Sequence, residues 1–482
     1  MLNKANQQQL KAVRSDRPLY HFSVPVGWLN DPNGLSFRDG KVHLFYQYYP
    51  YGPYWSYMHW GHAVSRDLTF WEDLPVALAP DMPYDAAGCF SGSAVNTDRG
   101  HALIYTGVSG ELDEDGLPHG PQQQCLAFGD GITYAKSDQN PVIPSPQLPD
   151  GFLPQDFRDP KVWLEDGTYR MVVAATRPDG LGRVLAFESP DLISWERRGV
   201  LLENDGSFGT MWECPDLFML DGTDVALVSV IAMPPGRDGI HPGNPVLAFT
   251  GAADFSLPGF TAGSIQQVDE GTDFYAPQTM VMPDGRRIMI AWMQNGFNRI
   301  APPDQDWQGM MTYPRELSLE EGRLVQNPAR EIESSWSDAV HLDDIVIEGE
   351  KELPGISGRA LDLKIELREL QGALRITFAA GPASGVTLAF DPGSSCMTFD
   401  RTRAGGGSVS DALPVQSFRV PEGVRSLRIL VDRNSLEVFI NDGHRTFTGI
   451  FYAPNDADGI IFSADGRARL AVEKHAVTAP AV

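Results

Sequence analysis

Five polar segments recur along the first two thirds of the 482-residue chain: NDPNG from Asn30, FSGSA from Phe90, FRDP from Phe157, ECPD from Glu213 and FYAPQ from Phe274. Each precedes two apolar runs joined by a tight turn, namely RDGK at 38–41, TDRGH at 97–101, EDGT at 165–168, LDGTD at 220–224 and PDGRR at 283–287. Gly-containing turns between apolar runs predict hairpins. The runs after the turns, Lys41–Tyr48, Ala102–Thr106, Tyr169–Ala175, Val225–Ile231 and Arg287–Trp292, are candidate strands. With Asp31, Ser91, Asp159, Glu213 and Tyr275 as markers, the segments are spaced by 60, 68, 54 and 62 residues. A second pattern, S-x-D-L-x-x-W, follows in SRDLTFW at 65–71 and SPDLISW at 189–195. Repeats of this size with roughly four strands each predict propeller blades, five of them over about residues 18–335. Radial repetition carries equivalent side chains to one mouth of a central channel.

Beyond Gln326-Asn327-Pro328 the repeat stops, and 328–350 reads as a linker. ALDLKIEL, ALRITFAA, GVTLAFD, SLRILVD, LEVFIND and RTFTGIFYAP then alternate with turn sequences, which predicts a two-sheet sandwich over 345–480. With 48 Gly and 37 Pro and helical patterning weak after the first dozen residues, the expected class is all-β: a five-bladed β-propeller followed by a C-terminal β-sandwich. The length agrees, because one core stops growing beyond roughly 250–300 residues.

Lys and Arg number 38 against 63 Asp and Glu, a formal net charge of −25. Such a surface repels phosphate backbones and anionic lipid, so nucleic acid and membranes are not expected partners and a small neutral molecule is. The amino-terminal stretch MLNKANQQQLKAVRSDRPLYHF has no apolar secretory core, and no run approaches the roughly 18–20 residues of a membrane span, so a cytoplasmic location is expected. Cys89, Cys125, Cys214 and Cys396 are far apart in sequence and read as reduced thiols.

The polar segments bring carboxylates from different blades, Asp31, Asp159 and Glu213, toward one place. Glycoside hydrolysis needs such a set: an acid to protonate the leaving oxygen, and a carboxylate to attack or to activate water. Any one Asp in D-P-N-G or R-D-P would serve equally as a turn residue; the recurrence across blades is what favours chemistry. Trp28, Trp55, Trp60, Phe90 and Trp212 crowd the same segments and suit the apolar faces of sugar rings, whereas Trp71 and Trp195 read as packing between blades. His59-x-x-His62 would point its rings to opposite faces of a strand, which argues against zinc. ELDEDG at 111–116 lacks the glutamate and the following helix of a calcium loop, and AGGGS at 404–408 joins no strand to a helix. No cofactor and no metal is expected.

WLNDPNG (28–34), FSGSA (90–94), FRDP (157–160), ECPD (213–216) and DFYAPQ (273–278) resemble the signature set of glycoside hydrolase family 32, the invertases and fructan hydrolases. MHWGHAVSRDL at 58–68, YPREL at 313–317 and VDRNSLEVFINDG at 431–443 extend the resemblance over nearly the whole chain. It implies a retaining mechanism on terminal β-D-fructofuranosyl units, with Asp31 as nucleophile, Glu213 as general acid/base and Asp159 as transition-state stabiliser. It also implies sugar contacts from Asn30, Gln47, Trp55, Phe90, Ser91, Arg158, Tyr275 and Trp292. Closely spaced carboxylates resist ionising together, so Glu213 is expected protonated and Asp31 charged. Ser56-Tyr57 in WSYMHW replaces the Gly-Pro of many members and sets this chain apart on the leaving-group side.

The expected activity is hydrolysis of sucrose and short fructo-oligosaccharides. Sucrose 6-phosphate is an alternative substrate that the acidity disfavours. A five-bladed glycosidase of other specificity and a non-catalytic sugar-binding propeller are the further alternatives. The sandwich either pairs copies of the chain or braces the propeller.

Overall fold

The computed structural model describes residues 1–9, 17–148, 151–237, 239–296, 300–301, 305–404 and 413–479. The Gly405–Ser408 part of the glycine-rich stretch lies outside the described residues. Five antiparallel sheets are arranged as propeller blades. Their innermost strands are Gly27–Arg38, Gly88–Thr97, Phe157–Glu165, Trp212–Leu220 and Tyr275–Val281. Blades 2 to 4 each use four strands consecutive in sequence. Blade 5 comprises Tyr275–Val281, Arg287–Trp292, Arg315–Glu320 and Arg323–Pro328, and a long connection precedes its third strand.

The hairpin turns show why the sequence repeats as it does. Asp39 and Gly40 have φ of 50° and 75°, and Asp166–Gly167 and Asp221–Gly222 repeat those signs. Two successive positive φ values are the primed turn whose twist matches the strands it joins. The S-x-D-L pattern is also structural. Ser65 and Ser189 hydroxyls cap Asp67 and Asp191, whose carboxylates gather the next backbone N–H groups, and Leu68 and Leu192 both have positive φ.

Each innermost strand is interrupted at its polar segment by a register shift against its neighbour: Leu29/Pro32, Phe90/Gly92, Arg158/Lys161, Glu213/Asp216 and Tyr275/Gln278. Such bulges re-aim side chains out of the pleat. In blades 3, 4 and 5 the pattern is the same: the residue before the shift is Arg158, Glu213 or Tyr275, the next, Asp159, Cys214 or Ala276, has positive φ, and a proline follows. The structural counterpart of Asp159 in blade 4 is therefore Cys214, and that of Glu213 in blade 3 is Arg158. The sequence markers were out of step by one residue between these blades.

The ring closes through blade 1. Trp307–Gln308, from the long connection of blade 5, pairs in parallel with Gly27 and Trp28, and Gly27 N–H donates to Asp306 O at 2.7 Å. Gly309 sits so close that a Cβ there would lie 2.1 Å from the Leu29 carbonyl oxygen.

The segment expected as a linker is ordered secondary structure: a 3₁₀ turn, Arg330–Ser335, runs directly into the strand Trp336–Ser357. That strand pairs along the final strand, Gly459–Val477, which bridges two sheets. Its first part pairs with Leu374–Ala380 and its second with Leu361–Gln371. Ile376, Phe378 and Leu388 from one side meet Leu363, Ile429 and Val438 from the other in one core, which makes the unit a sandwich.

Charge joins the two units. His21 is buried between Asp432 (3.1 Å) and Glu437 (2.8 Å), and Arg315 of blade 5 bonds Glu437 and Asp269, all with fully buried side chains. No helix among the described residues is long and apolar enough to cross a membrane.

Candidate active site

The bulges of blades 1, 2, 3, 4 and 5 deliver Asp31, Ser91, Asp159, Glu213 and Tyr275 to one focus. Asp31 accepts from Ser91 Oγ at 2.6 Å through Oδ2 and from Asn30 Nδ2 at 3.1 Å through Oδ1. Asn30 is itself held by the Trp28 indole N–H at 2.8 Å. Asp159 Oδ2 accepts the Cys214 backbone N–H at 2.9 Å, and the Asp159 N–H donates to Thr106 Oγ1 at 3.0 Å. The Cys214 thiol lies 3.5 Å from both Asp31 Oδ2 and Asp159 Oδ2, so one sulfur atom spans the two carboxylates.

Glu213 is gripped from two sides. Arg158 donates to Oε1 through Nε at 3.0 Å and Nη2 at 2.8 Å, and the Tyr275 hydroxyl donates to Oε2 at 2.7 Å. Arg158 also binds Asp156 at 3.0 Å and lies 4.0 Å from Asp159. Burial opposes its charge, but Glu213, Asp159 and Asp156 outweigh that and raise its pKa.

Burial sets the electrostatics of the acids. It raises the pKa of Asp31; the Ser91 hydrogen bond opposes the rise and the charge of Glu213 adds to it. Asp159 is pushed up to about 7, by burial first, with Arg158 opposing and Glu213 and Asp31 adding. The same causes, burial and then Asp159 and Asp31, hold the Cys214 thiol far above its ordinary range.

The remaining expected contacts fall around this focus. Trp55 meets Phe90 edge-on at 5.8 Å, and Trp292 meets Trp28 edge-on at 6.0 Å. The Trp292 indole N–H is buried and finds no hydrogen-bond partner among the described residues. Gln47 is buried and donates to the Cys89 carbonyl at 3.1 Å, tying blade 1 to the strand that carries Phe90 and Ser91. His59 and His62 point apart: His59 Nδ1 meets the Tyr57 carbonyl and His62 Nε2 meets His43 Nδ1. Asp113 in the acidic loop closes a turn by accepting the Asp115 and Leu117 N–H groups.

Sequence reasoning passed over Cys214, Asp156, Gln122 and Thr106. Gln122 Oε1 accepts the Phe157 N–H at 2.9 Å and so supports the bulge that carries Arg158 and Asp159. The position of Cys214 inside ECPD, one residue before a proline as in FRDP, was the available signal.

The chain is similar over nearly its whole length to known proteins. The Glycosyl hydrolases family 32 N-terminal domain matches residues 21–328, and the Glycosyl hydrolases family 32 C terminal matches residues 331–479. A raffinose invertase of Escherichia coli is 34% identical, covering 96% of each chain. A sucrose-6-phosphate hydrolase of Bacillus subtilis (strain 168) is 32% identical over 95% of this chain and 93% of its own. A Bombyx mori GH32 beta-fructofuranosidase superposes with a TM-score of 0.85 at 32% identity, covering 99% of this chain and 98% of that one, and a mutant of it has been solved in complex with sucrose. The five bulges with their three acids, and both family domains in order, establish that the chain belongs to glycosyl hydrolase family 32.

Proposed function

We propose that the chain is a retaining β-fructofuranosidase that releases terminal fructosyl units from sucrose and short fructo-oligosaccharides. The observation that carries this reading is the single thiol of Cys214 in contact with both Asp31 and Asp159, with Glu213 as its chain neighbour. Three acids from three blades thus meet in one cluster. Asp31 attacks the anomeric carbon while Glu213 protonates the departing glycosidic oxygen; Glu213 then takes a proton from water, which releases fructose with retained configuration. Asp159 binds ring hydroxyls more tightly as positive charge develops on the ring, and Arg158 balances the negative charge of the cluster.

The names of the invertase and fructofuranosidase relatives support a neutral fructoside. A second reading, hydrolysis of sucrose 6-phosphate, is favoured by the names of several relatives about as similar. A cytoplasmic location agrees with the four unpaired cysteines. The test is to incubate the protein with sucrose, sucrose 6-phosphate, kestose and inulin and to measure free fructose. Higher kcat/KM on sucrose and kestose supports the first reading, higher kcat/KM on the phosphate supports the second, and no fructose from any of the four overturns both.

A further inference from the structure

The stretch that leads into Tyr275 is held by the sandwich. Asp269 accepts the Thr448 N–H and hydroxyl, both at 2.8 Å, and the Glu270 N–H donates to the Thr446 carbonyl at 2.8 Å. Gly271 passes so close to the sandwich strand Arg445–Ile450 that a Cβ would stand 2.0 Å from the Thr448 carbonyl oxygen. The Thr272 N–H donates to Gln416 Oε1 at 2.9 Å. Asp273 Oδ2 accepts from Arg401 Nη1 at 2.6 Å and from the Ile450 N–H at 2.9 Å, with both side chains of the ion pair fully buried. Arg401 is fixed in turn by the Ile450 carbonyl at 2.7 Å. Blade 5 begins its own strand only at Tyr275, so the sandwich determines where that strand starts.

We propose that Arg401 of the sandwich is a positioning residue for acid/base catalysis, acting through Asp273 and Tyr275 on Glu213. The inference rests on the assignment of Glu213 as the acid/base. Asp273 is two residues before Tyr275, whose hydroxyl fixes one oxygen of Glu213. A buried charge pair with further hydrogen bonds holds the backbone to one arrangement, and a displacement on the order of 1 Å at a reacting group costs about 100-fold in rate. The sandwich therefore tunes the site of the propeller without touching substrate.

The test compares Arg401→Lys and Arg401→Gln with the parent on sucrose and on β-fructosyl fluoride, whose leaving group departs with little need of a proton. Arg401→Gln is expected to lower kcat/KM on sucrose about 10- to 100-fold with KM changed less than about threefold, while kcat/KM on the fluoride, which reports only transfer of the fructosyl group to Asp31, stays within about threefold of the parent. Arg401→Lys, which keeps the charge beside Asp273, is expected to recover part of the loss. A folded Arg401→Gln with parental kcat/KM on sucrose, or equal losses of kcat/KM on both substrates, overturns the proposal. If Arg401→Gln does not fold, Arg401→Lys decides: a loss on sucrose alone supports the proposal, and no loss or an equal loss on both overturns it. Glu213→Ala is run alongside: equal losses of kcat/KM on both substrates there would overturn the acid/base assignment itself.

Discussion

Ser91 reaches from blade 2 to Asp31 of blade 1 with a 2.6 Å hydrogen bond, the shortest the carboxylate receives. This bond favours the ionised form of a buried acid whose pKa the burial raises. Asp31 attacks only when ionised, so its pKa sets the acid limb of kcat/KM. Ser91→Ala removes a contribution that lowers that pKa, and the acid limb is expected to move to higher pH. A pH profile on sucrose checks this; an unmoved or lowered limb contradicts it.

Tyr275→Phe deletes the donor to one oxygen of Glu213 and leaves Arg158 on the other. A hydrogen bond to the carboxylate that forms as Glu213 gives up its proton contributes about 1.5–3 kcal/mol, so kcat on sucrose is expected to fall roughly 10- to 100-fold with KM little changed. Steady-state kinetics with sucrose measure the split.

Asp31→Asn keeps the shape of the site but provides no nucleophile. Sucrose binding measured by calorimetry is expected to persist while fructose release is lost. Glu213→Ala is expected to lose about 100- to 10,000-fold in turnover, the range for removing a general acid/base. Wild-type turnover in either variant would refute the assignment of that residue.

His21 makes folding stability depend on pH. Although burial opposes its charge, Asp432 and Glu437 raise its pKa from 6.5 to about 9. The stabilisation is complete below pH 6.5 and is lost as pH rises toward 9. Asp432 and Glu437 themselves lie below their ordinary values, since their bonds to His21 and Arg315 outweigh burial, so they contribute stability that disappears at strongly acidic pH. His21→Gln is expected to cost about 3–5 kcal/mol near neutrality and to flatten the alkaline slope. Thermal melts from pH 6 to 9.5 measure both effects.

Much of the propeller was legible because its chemistry and its geometry coincide. The polar segments that break the apolar pattern are the bulges themselves, and the Asp-Gly turns carry the positive φ that only a few residue types accept readily. The one-residue slip between Asp159 and Glu213 arose from aligning carboxylates, whereas the backbone aligns the prolines that follow them. The strand Trp336–Ser357 was hidden because most of its side chains are exposed, which removes the alternation by which strands are recognised. The ties between propeller and sandwich escaped for another reason. His21, Arg315, Asp432 and Glu437 are charged, and nothing in a linear sequence distinguishes a charge buried against a partner from one in water.

The closure of the ring at Trp307–Gln308 carries a further consequence. Among the described residues its parallel pairing is two residues long, flanked by the Ser23–Met310 bridge and the Met311 N–H bond to the Phe22 carbonyl, and it adjoins Trp28, whose indole steadies Asn30 beside Asp31. Short pairings open before long ones. On warming, the nucleophile therefore loses its footing while the blades are still intact, and fructose production fades at a lower temperature than the β-sheet signal.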